Sequence, residues 1–141
     1  MFRFAFGGPG SGPGEINAPY HIAANSLNEI YVACESYGGQ TNGRLEVFDN
    51  LAHYKTTIGQ NILSGARALA FDNQNNIFIS EGENAGRIVV LSSTGVLKPP
   101  LAVGVVDSPK SLALDNQGNI YVIDNYKILK LDAAGNITKT K

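Results

Sequence analysis

The chain has 141 residues and a mass of 15.0 kDa, enough for one domain with one hydrophobic core. Only 16% of the residues are charged and the formal net charge is −1, so no global field exists to hold a nucleic-acid backbone or an anionic membrane. The single cysteine, Cys34, excludes an internal disulfide and a thiolate zinc cage, and no apolar run approaches the roughly 18 residues of a membrane span.

The chain begins with an alternating apolar segment at residues 2–6, which is too short for a signal peptide and predicts a strand. A glycine-rich stretch follows at residues 7–14. It matches neither the dinucleotide-binding fingerprint nor the Walker phosphate loop, and no helix follows it. We therefore predict a crossing loop that needs positive φ angles. The sequence leaves the compartment open.

From residue 18 onward, three segments of the chain share one pattern. The pattern is an apolar run, a polar turn, a second run with an aromatic residue, and a basic residue followed by a third apolar run. The first runs lie at 19–25, 66–72 and 109–115, so successive units are offset by 47 and 43 residues. The third runs lie at 44–48, 87–91 and 127–131. A match of this length predicts repeated structural units.

Each unit predicts four short antiparallel strands. The first and second strands are apolar at consecutive positions, which is typical of sheets covered on both faces. Asp72, Asp115 and Asp132 open polar segments that predict tight turns, and the segments at Asp72 and Asp115 lack the glycine and distal glutamate of a calcium loop. The fourth strands, at 54–58, 96–103 and 137–139, are weaker, and Pro99-Pro100 is tolerated on an outer edge. We expect essentially no helix.

Four-stranded units of this length are typical of β-propeller blades. We predict an all-β propeller segment with blades at 18–64, 65–107 and 108–141, preceded at 1–17 by the outer strand of an earlier blade and a linker. The stretch 6–19, followed by Asn-Ile-Tyr-Val-like and Arg-Ile-like runs, resembles the NHL repeat. That resemblance implies a ring of six blades, of which this chain supplies half.

Three blades form an open arc, and each end of the arc would leave an apolar face of roughly 300 Å² bare. Two interpretations remain open. Another copy of the chain completes the ring, or the chain is a piece of a longer propeller.

The candidate site follows from the alternation of strand direction, which places the start of each first strand and the loop after each second strand on one face. We predict that Tyr20, Arg67 and Lys110 surround the mouth of the central channel, with Tyr37, Glu83, Asn84 and Tyr126 in the loops around them. A protein, a peptide or a small anion is the expected ligand. The alternative is plain solvated surface.

Acidic residues end two of the second strands and basic residues begin the third strands. Glu81 is expected to pair with Arg87, and Asp124 with Lys127. In the first unit Cys34 takes the place of the acid, so either Glu35 or nothing would serve Arg44. We expect Cys34 to be a buried small residue and not a nucleophile.

The resemblance also provides a test for catalysis. NHL-like amidating lyases carry metal-binding histidines where this chain has Tyr20, Arg67 and Lys110, while His21 and His53 fall elsewhere. We therefore expect no catalytic residue, no metal and no cofactor, and predict a non-enzymatic binding scaffold. The alternatives are part of a lyase or lactonase whose metal-binding groups lie in other blades, and an RNA-binding NHL module.

Overall fold

The computed structural model describes residues 4–35, 43–82 and 86–140, and the described residues contain no helix and hence none that could span a membrane. The strands in chain order are β1 (Pro19–Ala24), β2 (Ile30–Cys34), β3 (Gly43–Phe48), β4 (Tyr54–Leu63), β5 (Ala66–Phe71), β6 (Ile77–Glu81), β7 (Arg87–Leu91), β8 (Leu97–Leu101), β9 (Pro109–Leu114), β10 (Ile120–Asp124), β11 (Lys127–Leu131) and β12 (Ile137–Thr140).

These strands form three four-stranded antiparallel sheets in simple chain order, which we call sheet 1 (β1–β4), sheet 2 (β5–β8) and sheet 3 (β9–β12). The all-β, three-blade prediction is confirmed. The fourth strands differ in length from the expectation, because β4 continues to Leu63 and β8 ends at Leu101. Pro99 and Pro100 are exposed on β8, the outer strand of its sheet, where a missing N–H costs no ladder bond.

One turn design repeats in the hairpins that join the first strand of each sheet to the second strand and the third strand to the fourth. The first turn residue accepts hydrogen bonds through its side chain from the N–H groups two and four positions later; these residues are Asn25, Asp72, Asp115, Asp49, Ser92 and Asp132. The fourth residue has positive φ, as at Asn75 (61°) and Gly118 (82°). The predicted turn chemistry is confirmed.

The hydrophobic core lies between the sheets. One cluster, which includes Tyr31 and Val47 of sheet 1 with Leu69 and Ile79 of sheet 2, fills the first interface. An equivalent cluster fills the interface between sheets 2 and 3. The alternate residues of β2 face the other way, so Val32 and the fully buried Cys34 belong to a third, smaller cluster on the outward face of sheet 1. Consecutive apolar positions therefore cover both faces of a sheet, as the sequence indicated.

The segment before β1 folds over the outward face of sheet 1. Its N–H groups at Gly10 and Ile16 donate to the carbonyls of Ile16 and Gly8. Gly10 has φ 147°, a backbone conformation that residues with a Cβ rarely adopt, so the position favours glycine. Residues 4–8 form no strand, and the ring of Phe6 lies 5.1 Å from that of Phe48, edge to face. The predicted outer strand of an earlier blade and the blade boundaries stay predictions.

An ion pair in β3 holds this segment down. Arg44 pairs with Glu46 and donates to the carbonyl oxygens of Gly10 (3.3 Å) and Glu15 (2.9 Å). Glu46 accepts from the N–H of Gly14 (3.0 Å) and the hydroxyl of Thr57 (2.9 Å). The expectation that Glu35 or nothing serves Arg44 is wrong. Residues two apart on a strand share one face, so Glu46 reaches Arg44 directly.

Candidate functional site

Each inner strand starts with a β-bulge. In the pairing of β1 with β2, Pro19 lies opposite Cys34 and His21 opposite Ala33, so Tyr20 is the extra residue. The same irregularity leaves Arg67 extra in β5 and Lys110 extra in β9. A bulge turns the extra side chain away from the regular alternation of the strand. The three residues predicted to surround the channel thus occupy equivalent bulges in the three sheets.

The loops predicted to share a face with these bulges are tied to the segments that precede the inner strands. The N–H of Glu35, after β2, donates to the carbonyl of Ala18 at 3.0 Å. The N–H of Asn125, after β10, donates to Ser108 at 3.3 Å, and that of Gly86, before β7, to Asp107 at 2.8 Å. These loops and the three bulges form the surface that we call the channel-mouth face.

The structure brings Tyr20 and Arg67 together across the interface of sheets 1 and 2. The guanidinium carbon of Arg67 lies 4.8 Å from the centroid of the Tyr20 ring, a cation–π contact. A second partner comes from the loop after β2, because Nη2 of Arg67 lies 3.8 Å from Oε1 of Glu35. The side chains of Arg67 and Glu35 are both largely shielded from solvent. An aromatic ring and a carboxylate therefore hold the guanidinium in one place.

A small cleft opens beside this guanidinium. Its volume is about 210 Å³, and it is lined by Glu35, Ser64, Gly65, Arg67 and Gly82. Sequence reasoning predicted Arg67 for this site and placed the loops that contain Glu35 and Gly82 on the same face, but it missed Ser64 and Gly65. The missed signal is the segment Ser64-Gly65 directly before β5, which carries no large side chain and so leaves room for the cleft.

Of the other predicted site residues, the structure describes Lys110 and Tyr126 but not the remaining three. Lys110 is exposed at its bulge, and Tyr126 is fully exposed in the turn between β10 and β11. Tyr37, Glu83 and Asn84 lie outside the described residues. The structure thus joins Tyr20 to Arg67, places Lys110 at the equivalent position of the next sheet, and leaves the ligand-binding role of all these residues a prediction.

Buried carboxylates brace the segments that carry the site. Glu81, at the end of β6, accepts from Nε of Arg87 at 2.7 Å and from the N–H of Ser64 at 2.9 Å. The predicted Glu81–Arg87 pair is confirmed. Because Ser64 lines the cleft, this carboxylate also fixes one of its walls.

The equivalent brace in sheet 3 differs from the expectation. The carboxylate of Asp124 accepts from the N–H of Ser108 at 2.7 Å and from that of Asp107 at 3.1 Å, and it forms no ion pair with the exposed Lys127. The predicted Asp124–Lys127 pair is wrong. A buried carboxylate needs donors at short range, and the backbone N–H groups before β9 provide them without ordering a long lysine side chain.

Cys34 occupies the position of Glu81 and Asp124 in sheet 1. Burial raises the pKa of its thiol, which is the opposite of what a nucleophilic cysteine needs.

The residues at the channel mouth do not fit the metal centre of the amidating lyases. The three bulge positions carry tyrosine, arginine and lysine, and the described parts of the chain contain no group of three His, Cys, Asp or Glu side chains that could hold a metal ion.

Comparison with known proteins identifies the fold. No family model and no curated protein sequence matches the chain. Among solved structures, a gluconolactonase from Xanthomonas campestris superposes with a TM-score of 0.70 at 13% identity, over 87% of this chain and 46% of that one. A chain of the nidogen/laminin complex gives 0.71 at 19% identity over 89% and 47%. A luciferin-regenerating enzyme gives 0.65 at 19% identity over 85% and 44%.

These similarities establish a β-propeller architecture. The chain spans less than half the length of each of these solved structures. At such identities the likeness concerns the fold alone, and the more specific NHL assignment stays a prediction.

Proposed function

We propose that the channel-mouth face is a non-enzymatic binding surface for an acidic peptide or protein loop. The observation that carries this proposal is the guanidinium of Arg67, held between the Tyr20 ring and Glu35 at the rim of the cleft. A guanidinium fixed in place has already lost much of its side-chain entropy, so a ligand carboxylate that binds it gains more of the interaction energy.

The size of the cleft favours a single side chain of a larger ligand. Its volume of about 210 Å³ lies below the roughly 300–1,000 Å³ that is usual for pockets enclosing a whole small molecule. An aspartate or glutamate side chain fits such a volume. The remaining contacts of a peptide would then lie across the exposed parts of the face, where Lys110 and Tyr126 are accessible.

The charges of the face favour a peptide over a simple anion. Arg67 and Lys110 attract a carboxylate, whereas Glu35 beside Arg67 repels a ligand that is negative throughout. A peptide can place one acidic side chain at Arg67 and turn its amide N–H groups toward Glu35. The mixed charge therefore selects for a ligand with both a carboxylate and hydrogen-bond donors.

The test uses a defined probe, N-acetyl-glutamate amide, with inorganic phosphate as a comparison anion. Titration into ¹⁵N-labelled protein should shift the amide signals of residues 20, 35, 64–67 and 110. Arg67→Gln should weaken binding of the glutamate probe by at least about tenfold, since a charge-assisted hydrogen bond contributes about 1.5–3 kcal/mol.

Lys98→Gln serves as the matched control, because Lys98 is an exposed cation on β8, away from the bulges. Equal affinity in the Arg67→Gln and Lys98→Gln variants would refute the proposed site. Phosphate binding as tight as glutamate binding would refute the selection for a peptide.

A second candidate function is a share in an enzyme of the lactonase type. The observation that favours it is the superposition on the gluconolactonase from Xanthomonas campestris. In this case the metal-binding groups would lie in other blades or in the residues of this chain outside the described ranges. Hydrolysis of gluconolactone by the purified chain, abolished by a metal chelator, would favour the enzyme over the binding surface. Bound zinc or calcium at one equivalent per chain would point the same way.

A further inference from the structure

We propose that two copies of this chain associate head to tail, with the outward face of sheet 3 of each copy packed on the outward face of sheet 1 of the other. Among the side chains that the structure describes, the outward face of sheet 3 includes Ser111, Ala113, Tyr121, Ile123, Ile128 and Lys130. Most of these residues line a shallow groove of about 240 Å³. Ile123 and Ile128 are exposed at its centre.

The repeat shows what such a face packs against. The residues of sheet 2 at the same repeat positions as Ala113, Tyr121 and Ile128 are Ala70, Phe78 and Ile88, and all three belong to the core between sheets 2 and 3. The corresponding residues of sheet 1 belong in the same way to the core between sheets 1 and 2. The face of sheet 3 therefore has the form of an inter-sheet interface without its second sheet.

The outward face of sheet 1 has the complementary form. Ile22 stands at the repeat position of Leu69 and Leu112, yet it is 63% exposed, whereas they are 2% and 6% exposed. The segment before β1 covers this face around Arg44 and Glu46 but leaves Ile22 exposed. Ile16 of that segment packs on sheet 1 as Leu63 and Val106 pack on sheets 2 and 3 inside the internal interfaces. Residues 4–8 form no strand, so they can give way to the β12 of a second copy.

Lys130, a charged residue of the sheet 3 face, also suits sheet 1. Lys130 lies 5.6 Å from the centroid of the Tyr121 ring and stands at the repeat position of Val90. Val90 shares a cleft with Leu114, Gly118 and Ala133 of the next sheet. The equivalent positions of sheet 1 are Ala24, Asn28 and Asn50, all exposed, beside the partly exposed carboxylate of Asp49. In the proposed contact, Lys130 would face polar groups and the carboxylate of Asp49. Within one copy, Val90 at the equivalent position faces the apolar Leu114.

The area supports a closed pair. One face of four strands covers about 300 Å², so a single contact buries only about 600 Å² on both sides, within the range of weak crystal contacts. Two copies that close a ring form two such contacts and bury about 1,200 Å², which reaches the range of stable interfaces. Head-to-tail contacts that close leave no face bare.

Closure would also complete the channel mouth. Lys110 of one copy would stand next to Tyr20 of the second, as Arg67 stands next to Tyr20 within one copy. The mouth would then carry four cations and two tyrosines from the bulges of both copies. This part rests on the proposed function, whereas the association itself does not.

The test is the mass in solution, measured by size-exclusion chromatography with light scattering and without ligand. The native chain should have a mass of about 30 kDa, twice the 15.0 kDa of one copy. Ile128→Lys should halve that mass, since it places a charge at the centre of the interface on a side chain that is exposed in the single copy. Val96→Lys, at an equally exposed apolar residue outside both end faces, should leave the mass unchanged.

A native mass of 15.0 kDa up to about 100 µM would overturn the proposal and indicate that another polypeptide covers these faces, and open-ended assemblies would overturn the closed pair. Circular dichroism of the native chain and Ile128→Lys should be the same. Because mass is measured without ligand and glutamate binding by Arg67→Gln, failure of one proposal does not entail failure of the other.

Discussion

The two end faces of this chain follow one repeat but are finished differently. On sheet 1, Arg44 and Glu46 bind the segment that precedes β1, and Cys34, Val32 and Phe48 are buried beneath it. On sheet 3, Ile123 and Ile128 remain exposed, and none of the described residues folds over them. The repeat fixes the shape of both faces, and a few substitutions within it decide which face the chain covers by itself.

Glu46 is the difference from the repeat that most changes the outward face of sheet 1. The same repeat position holds Val89 in sheet 2 and Leu129 in sheet 3, both in the inter-sheet cores. An acidic residue there is tolerated because Arg44, Thr57 and the N–H of Gly14 satisfy its carboxylate. At this one position, a polar contact with the linker thus takes the place of an apolar side chain of the inter-sheet cores.

The largest expected effect comes from breaking this buried pair. Glu46→Ala should lower the free energy of unfolding by about 3–5 kcal/mol, because Arg44 would keep a buried charge without its partner. Urea denaturation at fixed protein concentration measures the change. The double variant Arg44→Leu/Glu46→Leu, which removes both buried charges together, should recover most of the loss. A loss below about 1 kcal/mol in the single variant would contradict the role given to the pair.

The next largest effect on stability is expected at a repeat position that is buried between sheets 2 and 3 but exposed on the outward face of sheet 3. Ile88 is 0% exposed and Ile128 is 60% exposed. In samples diluted to single copies, Ile88→Ala should cost about 2–5 kcal/mol, and Ile128→Ala should change stability by no more than about 0.5 kcal/mol. Urea denaturation of both variants measures the difference. A loss in Ile128→Ala that equals that of Ile88→Ala and grows with protein concentration would show that a second sheet covers the face.

A smaller effect is expected on the reactivity of Cys34, which lies beneath the segment before β1 on sheet 1. Cys34 is buried, and its pKa is raised by that burial, so a disulfide reagent at pH 8 should react slowly with the native chain. Glu46→Ala should accelerate the reaction at least about tenfold, equivalent to about 1.4 kcal/mol of easier opening. The matched control is Ile128→Ala, which leaves sheet 1 untouched. Equal rates in the two variants would show that Glu46 does not hold the cover closed.

The smallest effect concerns the turns. A side-chain hydrogen bond from Asn119, helped by two backbone N–H groups, lowers the pKa of Asp115 below its ordinary value of 3.8. A lowered pKa adds stability that is complete above about pH 4 and lost as the pH falls through the pKa of the folded state. Asp115→Asn should flatten the fall in urea midpoint between about pH 5 and pH 2.5. Asn25, at the same position of sheet 1, shows that asparagine keeps the turn.

Two other turn aspartates provide a check on the acid dependence measured in this urea series. The pKa values of Asp49 and Asp132 are also lowered, chiefly by backbone N–H groups, so the variant should keep part of the acid dependence. An unchanged slope would mean that the Asp115 turn does not contribute.

Much of the fold could be predicted from the sequence, because its signals are local. A turn that needs a side-chain acceptor and a positive φ is written within five residues, as at Asp72 to Asn76. The candidate site was predictable only in part. Tyr20, Arg67 and Lys110 were identified from strand direction and repeat position, yet the partners of Arg67 and Arg44 were not, because several carboxylates lie within reach along the chain.

The sequence by itself determined the strands, their order, the turns and the double covering of the sheets, since each depends on neighbours in the chain or on the repeat. Only the tertiary structure decided that Arg67 lies over Tyr20 beside Glu35, and that Arg44 and Glu46 bind the segment before β1. These contacts join residues from different sheets or from a linker and a sheet. A charged side chain takes the partner that the packing brings closest, and periodicity along the chain carries no record of that distance.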